Sequence, residues 1–335
     1  MEQWWSKVKQ ILGLNAQKSW TEDIASEICN DDIEELANMV NKSFYNISAD
    51  MTPLTSDSTI SHQPTPEKYI ITVEDVEHKL TQRKLHKSTG PDDIPNWILK
   101  EHATTLSIPI CALYNSSIRE GYLPPMWKSA DVVPIPKTTP VIDIDKDLRP
   151  ISLTPVLSKI LESFVITWMR QEARHCDSQY GAIKGSSTTH ALIHLTHNLL
   201  KGLEHPDAYA RILMLDLSKG FDRVDHNILL EKLTLNGVHP KLFAWQKAFL
   251  THQQERVKIG EVKSNWCHIK AGVPQGTLRS PEELIHMVDD LTPCIPNIKY
   301  VDDTTVFEKV PPGETSKLQD AADEVILWTK ETRLN

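Results

Sequence analysis

The sequence predicts an α+β fold, and three observations support this prediction. Stretches with apolar residues at three- and four-residue spacing indicate helices, and they are separated by short runs of β-forming residues. Some of these runs lie close together and indicate hairpins. The chain has 335 residues, of which 40% are hydrophobic and 24% charged, so it is long and apolar enough to bury a core.

The first third of the chain is predicted to be helical, with one long loop. Apolar spacing predicts a helix over residues 20–47, and Thr, Ser, Asp and Pro residues predict a linker over 48–68. Thr72 and Asp75 have the spacing of a capping box, which would open a helix that runs to Leu85. Two further helices are expected over Asn96–His102 and Cys111–Arg119.

The remaining two thirds mix strands with helices. Ala130–Pro136 is an apolar run bounded by prolines, so we expect an edge strand. Arg211–Leu217 is a continuous apolar run with one acid near its end, which indicates a buried strand. Arg256–Ile259 and Trp266–Ala271 indicate a hairpin. Helices are expected over Leu153–Arg170, Thr188–Leu203, Ile228–Leu235, Pro240–Leu250, Pro281–Leu291 and Lys317–Thr329.

Composition and charge exclude several protein classes. The chain has no run of 18 apolar residues and does not begin with the basic-then-apolar order of a signal peptide. We therefore expect an intracellular protein, of the nucleus or cytoplasm, without a membrane partner. The five cysteines form no C-x-x-C pair, which predicts free thiols. The net charge is -9, but residues 241–280 carry seven bases against two acids and could follow a nucleic-acid backbone.

Three carboxylates are the candidates for chemistry. Asp302 and Asp303 lie between two β-forming runs, which predicts a tight hairpin with acids at its turn. An acidic surface turn is the alternative. Asp216 is the acid near the end of the apolar run Arg211–Leu217. Burying such an acid is costly unless it is paired or bound to metal. If the strands are neighbours, the three carboxylates converge into a site for hard divalent cations, which is the chemistry of nucleotidyl transfer.

Several motifs in order resemble the reverse transcriptases of non-LTR retrotransposons of the jockey kind. The resemblance covers residues 68–335. Each motif alone is a weak signal, but the occurrence of all of them in this order and at this spacing is specific. The matching segments are Lys87–Asp92, Asp147–Leu153, Gln179–Gly181, Leu215–His226, Ala271–Thr277 and Tyr300–Asp303.

The resemblance implies a right-hand polymerase with fingers and palm, in which an antiparallel palm sheet carries the carboxylates. Residues 1–67 would form an N-terminal connector, 68–127 a helical extension of the fingers, and 128–335 the fingers and palm. Because the sequence ends at Asn335, shortly after the helix that follows the paired aspartates, we expect the thumb to be absent and the domain to be truncated at its C-terminus.

The resemblance also implies roles for the matched acids. Asp216 and Asp302 would hold two metal ions, with Asp303 in support and the carbonyl of Leu217 as a further ligand. The expected cofactor is Mg²⁺, with Mn²⁺ as a substitute. The expected partners are an RNA template, a DNA primer and deoxynucleoside triphosphates. The oligomeric state is not predicted.

Five residues are implied in nucleotide and template binding. Phe221 occupies the position of the ring that excludes a 2′-hydroxyl, and a core aromatic is the alternative. Gln275 and Gly276 would contact nucleotide or template. Arg149 and Lys137 would neutralise the triphosphate, since the fork of arginine suits phosphate oxygens. For Lys137, a solvated loop position is an equal alternative.

The predicted function is therefore RNA-directed DNA polymerisation. The alternative is a catalytically inactive, decayed fragment that at most binds RNA. The expected absence of the thumb suggests it, and so do Glu282 and Glu283, because they stand where the resemblance implies apolar residues and would be destabilising if buried without partners. A phosphodiester-cleaving enzyme could use similar carboxylates, but it does not explain Phe221 or the Gln275-Gly276 spacing.

Three histidines at helical spacing offer a second metal hypothesis. His190, His194 and His197 could share one helix face and bind zinc, but no fourth ligand stands at a recognisable spacing. A polar helix face is the favoured interpretation.

Overall fold

The computed structural model describes residues 20–55, 64–173, 175–201 and 207–334. The helices in these ranges are α1 Trp20–Ile28, α2 Ile33–Asn46, α3 Val73–Thr81, α4 Asn96–Glu101, α5 Ala103–Glu120, α6 Val156–Glu172, α7 Thr188–Leu200, α8 His226–Leu235, α9 Pro240–Leu250, α10 Ser280–Val288 and α11 Leu318–Thr332. The strands are β1 Ser129–Pro136, β2 Leu148–Leu153, β3 Tyr209–Leu215, β4 Gln254–Ile259, β5 Val262–Lys263, β6 Cys267–His268, β7 Asn297–Tyr300 and β8 Asp303–Val310. Short 3₁₀ turns cover Glu67–Tyr69, Pro125–Lys128 and Gly220–Arg223.

The strands form two sheets. The first has the order β2-β1-β4-β5, with β6 also paired to β4, and the second has the order β3-β8-β7. In the first sheet β1 is antiparallel to β2 and parallel to β4, whereas all pairs of the second sheet are antiparallel. The prediction of a mixed α and β fold with an antiparallel sheet is confirmed.

The position of β1 was predicted wrongly. Its prolines suggested an edge strand, but β1 lies between β2 and β4. The pairing with β4 covers only Ser129–Val132, while the pairing with β2 continues to Pro136. Pro134 and Pro136 therefore lie where only one side of the strand is paired, and a missing N–H is tolerated there.

The prediction that Arg211–Leu217 is a buried strand was also wrong. The strand β3 is shifted two residues towards the N-terminus and forms an edge of the second sheet. Ile212 is 43% and Met214 75% exposed, whereas Leu213 packs against a small apolar cluster on the other face. An edge strand with one covered face leaves alternate side chains in solvent.

The predicted single N-terminal helix is two helices. Asn30 and Asp31 adopt left-handed backbone conformations with φ of 48° and 67°, which end α1. The Asp32 side chain then accepts hydrogen bonds from the backbone N–H groups of Glu34 and Glu35 and caps α2. Apolar spacing alone did not reveal this break, because it continues from one helix into the other.

Most other boundaries agree with the sequence within a few residues. The capping box of Thr72 and Asp75 is present, although α3 ends at Thr81 rather than Leu85. Helix α5 is longer than predicted and contains Pro109 without ending there. Residues 56–63 of the predicted linker and 202–203 of the predicted 188–203 helix lie outside the described residues.

Two larger apolar cores hold most of these elements, and two smaller clusters pack against the second sheet. Helices α1 and α2 cover one face of the first sheet through residues such as Leu36 and Val40, which pack with Val132 and Val257. The larger core joins the remaining helices, apart from α7, to the 3₁₀ turn at Gly220–Arg223. Its fully buried members include Tyr114, Ile160, Leu229, Trp245 and Leu284.

The two acids of α10 are buried and paired. Glu282 and Glu283 are each 2% exposed. Arg170 Nε lies 2.5 Å from Glu282 Oε2. Arg279 and the amide of Gln246 both bond to Glu283. The cost expected for two unpaired acids is therefore offset, which removes this reason for favouring an inactive fragment.

Helix α7 exposes most of its length. His190 and His197 are exposed, and His194 Nδ1 lies 2.5 Å from the hydroxyl of Tyr180. Among the described residues the three histidines form no metal-ligating cluster. No helix in the described ranges is long and apolar enough to cross a membrane. The five cysteines are free thiols, as predicted.

Candidate active site

The pairing of three strands places the candidate acids at one end of the second sheet. β3 runs antiparallel to β8, and their last pair is Leu215 with Thr304, so Asp216 directly follows one member of this pair and Asp303 directly precedes the other. β7 pairs with β8 up to Tyr300 opposite Asp303. The two residues between them, Val301 and Asp302, form the turn of a hairpin. The predicted hairpin is confirmed, and the condition that the two strands are neighbours is met.

The backbone of this turn is strained and held from outside. Val301 has a φ of 61°, which is unfavourable for a β-branched residue and costs about 1–3 kcal/mol. Gln179 Oε1 accepts hydrogen bonds from Val301 N at 3.0 Å and from Gly181 N at 2.9 Å. A Cβ on Gly181 would lie 2.4 Å from Val301 N, so only glycine allows this approach. The Gln179–Gly181 segment is thus a clamp on the turn.

Like charges meet at the turn. Asp302 is half-buried, and its pKa is raised by burial and by the nearby carboxylates of Asp303 and Asp216. Asp216 and Asp303 are exposed. Uncompensated repulsion between carboxylates is the electrostatic condition that a bound cation relieves, so the donor set fits divalent metal ions with oxygen ligands.

The three carboxylates are neighbours without forming a closed triad. Within the described ranges, the only group of three potential ligands with atoms all within 4.8 Å of one another lies elsewhere. Two ions about 3.5–4 Å apart distribute their ligands over two coordination spheres, so a tighter triad is not required. The carbonyl of Leu217 accepts a hydrogen bond from Gly220 N at 3.1 Å, which occupies one of its two acceptor positions.

The glycine-rich segment after β6 is bonded to the 3₁₀ turn that follows Asp216. Gly272 N donates to Val224 O, and Val273 N donates to Phe221 O, both at 2.8 Å. Gly272 has a φ of +88°, and a Cβ there would lie 2.8 Å from Asp222 O. Phe221 is half-buried and packs against the larger core.

Gln275 lies at this junction, but its side chain is already engaged. Its Nε2 donates to Asp222 Oδ1 at 2.7 Å, and its carbonyl accepts from Ser152 N at 2.7 Å. Gly276 follows with a φ of +97°. Asp222 was not singled out from the sequence, although it directly follows Phe221 in the same motif.

Asp222 is half-buried, and two lysines act on it. Burial raises its pKa, while the Gln275 hydrogen bond and the charges of Lys219 and Lys137 oppose that rise. Lys137 therefore acts on the site electrostatically, although its own side chain is exposed. Arg149 lies on β2 opposite Ile135 and is exposed, without an ion-pair partner among the described residues.

A pocket next to Gln275 contains a second half-buried acid. It is lined by the end of α2, by β2 and by the 267–275 segment, and it contains Asp222 and Glu255. Burial, with a contribution from Asp222, raises the pKa of Glu255 to about 7. This carboxyl therefore holds its proton over much of the acid range.

Comparison with known proteins gives a consistent result. The family model described as "Reverse transcriptase (RNA-dependent DNA polymerase)" matches residues 135–335. The chain is 29% identical over 278 residues to "RNA-directed DNA polymerase from mobile element jockey" of Drosophila melanogaster, which covers 78% of this chain and 30% of that protein. It is also 29% identical over 237 residues to "Probable RNA-directed DNA polymerase from transposon BS" of the same organism, covering 70% and 26%. The chain therefore spans less than a third of the length of these curated relatives.

Proposed function

The chain belongs to the reverse transcriptase family, and from this premise we propose that it is the polymerase part of a mobile-element protein that copies RNA into DNA. The observation that supports this most strongly is the pairing of β3 with β8, because its last pair, Leu215 with Thr304, adjoins Asp216 and Asp303, and because the charges of Asp303 and Asp216 act on Asp302. The three-stranded sheet would be the palm, and the β1–β2 sheet with its helices would be the fingers. The substrates would be an RNA template, a DNA primer and deoxynucleoside triphosphates.

The acids have a defined task in this proposal. Asp216, Asp302 and the Leu217 carbonyl would hold divalent metal ions, with Asp303 in support and Mg²⁺ as the expected ion. When bound, such ions activate an attacking hydroxyl and neutralise charge on a leaving pyrophosphate. The chain contributes carboxylates that repel one another until a cation arrives, on a turn that Gln179 keeps in place.

Residues around the turn would bind the nucleotide. The ring of Phe221 would contact the sugar and leave no room for a 2′-hydroxyl. The hydrogen bond between the Phe221 carbonyl and Val273 N fixes the backbone that carries this ring. Gln275 and Gly276 would contact nucleotide or template, and Lys137 and Arg149 would neutralise the triphosphate. Lys137 supports this role through its influence on Asp222.

Primer extension tests the proposal. The 335-residue chain is given an RNA template, a labelled DNA primer, deoxynucleoside triphosphates and Mg²⁺, beside the Asp302→Asn variant. Asp320→Asn is the matched control, because Asp320 is an exposed acid in the first turn of α11. The proposal requires extension by the wild type and by Asp320→Asn but not by Asp302→Asn. Equal extension by Asp302→Asn would refute the site.

A further inference from the structure

A cluster of two histidines and a glutamate lies outside the carboxylate site. His175 follows α6, and Glu282 and His286 lie one turn apart on α10. Each offers one ligand atom, and these three atoms lie within 4.8 Å of one another. Their side chains are 16%, 2% and 0% exposed, so the cluster is shielded from water.

Five buried polar atoms of this cluster have no hydrogen bond to a described residue. His175 and His286 each bury both ring nitrogens without a hydrogen bond to any described residue, and Glu282 Oε1 is buried in the same state. His175 Nε2 approaches Glu282 Oε1 to 3.2 Å, but without the alignment of a hydrogen bond. Buried polar atoms normally have a partner, so five such atoms in one place indicate a missing one.

The spacing of the atoms suits a tetrahedral metal ion. Zinc bonds of about 2.0–2.2 Å place neighbouring ligand atoms about 3.3–3.5 Å apart. His175 Nε2 and His286 Nε2 lie 3.2 Å and 3.9 Å from Glu282 Oε1. A neutral imidazole offers a lone pair to the metal, and two imidazoles with one carboxylate are a known ligand set for zinc.

Arg170 orients the carboxylate for this role. Its Nε lies 2.5 Å from Glu282 Oε2, which leaves Oε1 directed at the two imidazoles. Protein metal sites commonly fix their ligands through such an outer hydrogen bond. Glu282 therefore has the surroundings of a metal ligand as well as those of an ion-pair partner.

We propose that His175, Glu282 and His286 form a site for a divalent transition-metal ion of the zinc class. This site is separate from the carboxylates that the polymerase proposal assigns to metal, and it does not depend on that proposal. Two imidazole nitrogens favour zinc-class ions over Mg²⁺, which prefers oxygen ligands.

A metal ion at this site would restrict the movement of the segment that holds the aspartate turn. The segment after His175 runs directly along β7, where Lys299 N donates to Ser178 O and Tyr180 N donates to Lys299 O, both at 2.8 Å. The same segment supplies Gln179, which holds Val301. A metal that joins His175 to α10 would therefore fix the start of the clamp on the turn.

Cobalt binding tests the proposal, because tetrahedral Co²⁺ with nitrogen ligands absorbs visible light. The full chain is freed of metal with a chelator and titrated with Co²⁺, in the presence of excess Mg²⁺ to occupy oxygen-only sites. We expect one equivalent of Co²⁺ to bind with visible absorption and to be displaced by Zn²⁺. Asp302→Asn should bind in the same way, and so should His190→Ala, which removes an exposed imidazole of α7.

Two variants of the cluster complete the test. His175→Ala changes its least buried member, and Glu282→Gln keeps the shape of the side chain, so at least one should remain folded by circular dichroism. Each should bind Co²⁺ at least about tenfold more weakly than the wild type. Failure of the folded wild type to bind Co²⁺ stoichiometrically would overturn the proposal in favour of a metal-free ion-pair network. Wild-type affinity in both variants would also overturn it.

Discussion

The negative charges of the α10 acids are neutralised by arginines, whereas the acids at the hairpin turn lie near other acids. Glu282 and Glu283 are buried, and each contacts an arginine. Asp302 is less buried, and the charges that raise its pKa are the carboxylates of Asp303 and Asp216. Partnered acids stabilise the native state, while carboxylates that face one another destabilise it until a cation binds. The comparison separates the acids that arginines neutralise from the acids that are proposed to bind metal.

Glu255 belongs to neither group and completes the comparison. It sits in the pocket beside Gln275, next to the carboxylate of Asp222. Since burial raises its pKa to about 7, it is stabilised by a proton rather than by a cation. The charge of a carboxyl group is thus neutralised by an arginine in α10 and by a proton at Glu255, and at the hairpin turn it would be neutralised by a bound cation.

The largest expected effect comes from Asp302→Asn. Single-nucleotide addition should fall at least about 10³-fold, because the variant loses a charge that the chemistry requires. The free energy of unfolding in urea should stay unchanged or rise by about 0.5 kcal/mol, since like-charge repulsion is lost. A clear loss of stability would mean that Asp302 is an acid that stabilises the fold.

Glu283→Ala should show the reverse pattern in stability. Arg279, which is 2% exposed, would keep a buried charge without its carboxylate, and breaking such a pair costs about 3–5 kcal/mol. Urea denaturation measures this loss. Glu314→Gln, an exposed acid in a loop, is the control and should change stability by less than about 0.5 kcal/mol. An unchanged midpoint for Glu283→Ala would remove the contrast between the two groups of acids.

Glu255 should make stability depend on pH. Its folded pKa of about 7 lies above the ordinary value of 4.5, so its contribution is complete below pH 4.5 and is lost as pH rises through 7. The loss amounts to about 3 kcal/mol. Glu255→Gln should flatten the dependence of unfolding free energy on pH in this window. A slope equal to that of the wild type would show that Glu255 does not titrate there.

The smallest effect concerns nucleotide choice. Phe221→Val should raise the incorporation of ribonucleotides relative to deoxynucleotides by about tenfold, because a smaller side chain leaves room for a 2′-hydroxyl. Competition between the two nucleotide types in primer extension measures the ratio. Loss of stability with an unchanged ratio would identify Phe221 as a core aromatic only.

The sequence predicted those local structures that are determined by residues close together along the chain. The capping box of Thr72 and Asp75 is an example, and so is the turn at Asp302, because flanking β-formers specify a hairpin. The exposure of β3 and the central position of β1 could not be predicted, since they depend on which strands lie alongside.

The sequence pointed to the candidate acids, but it did not predict the residues that support the turn. The neighbourhood of Asp216 and Asp302 followed from two apolar strands and from the resemblance. Gln179 was noticed only as part of a motif, because the bonds that define its role reach Val301, far along the chain. The cluster of His175 with α10 was missed for the same reason, and only the unusual Glu282 hinted at it.

The most direct test of the account is the rate of single-nucleotide addition to an RNA-templated primer as Mg²⁺ is increased, for the wild type and for Asp216→Asn. The account predicts a rate that rises with Mg²⁺ and saturates in the wild type, and no measurable addition by the variant. Equal, Mg²⁺-dependent addition by both proteins would contradict the claim that these acids carry the chemistry.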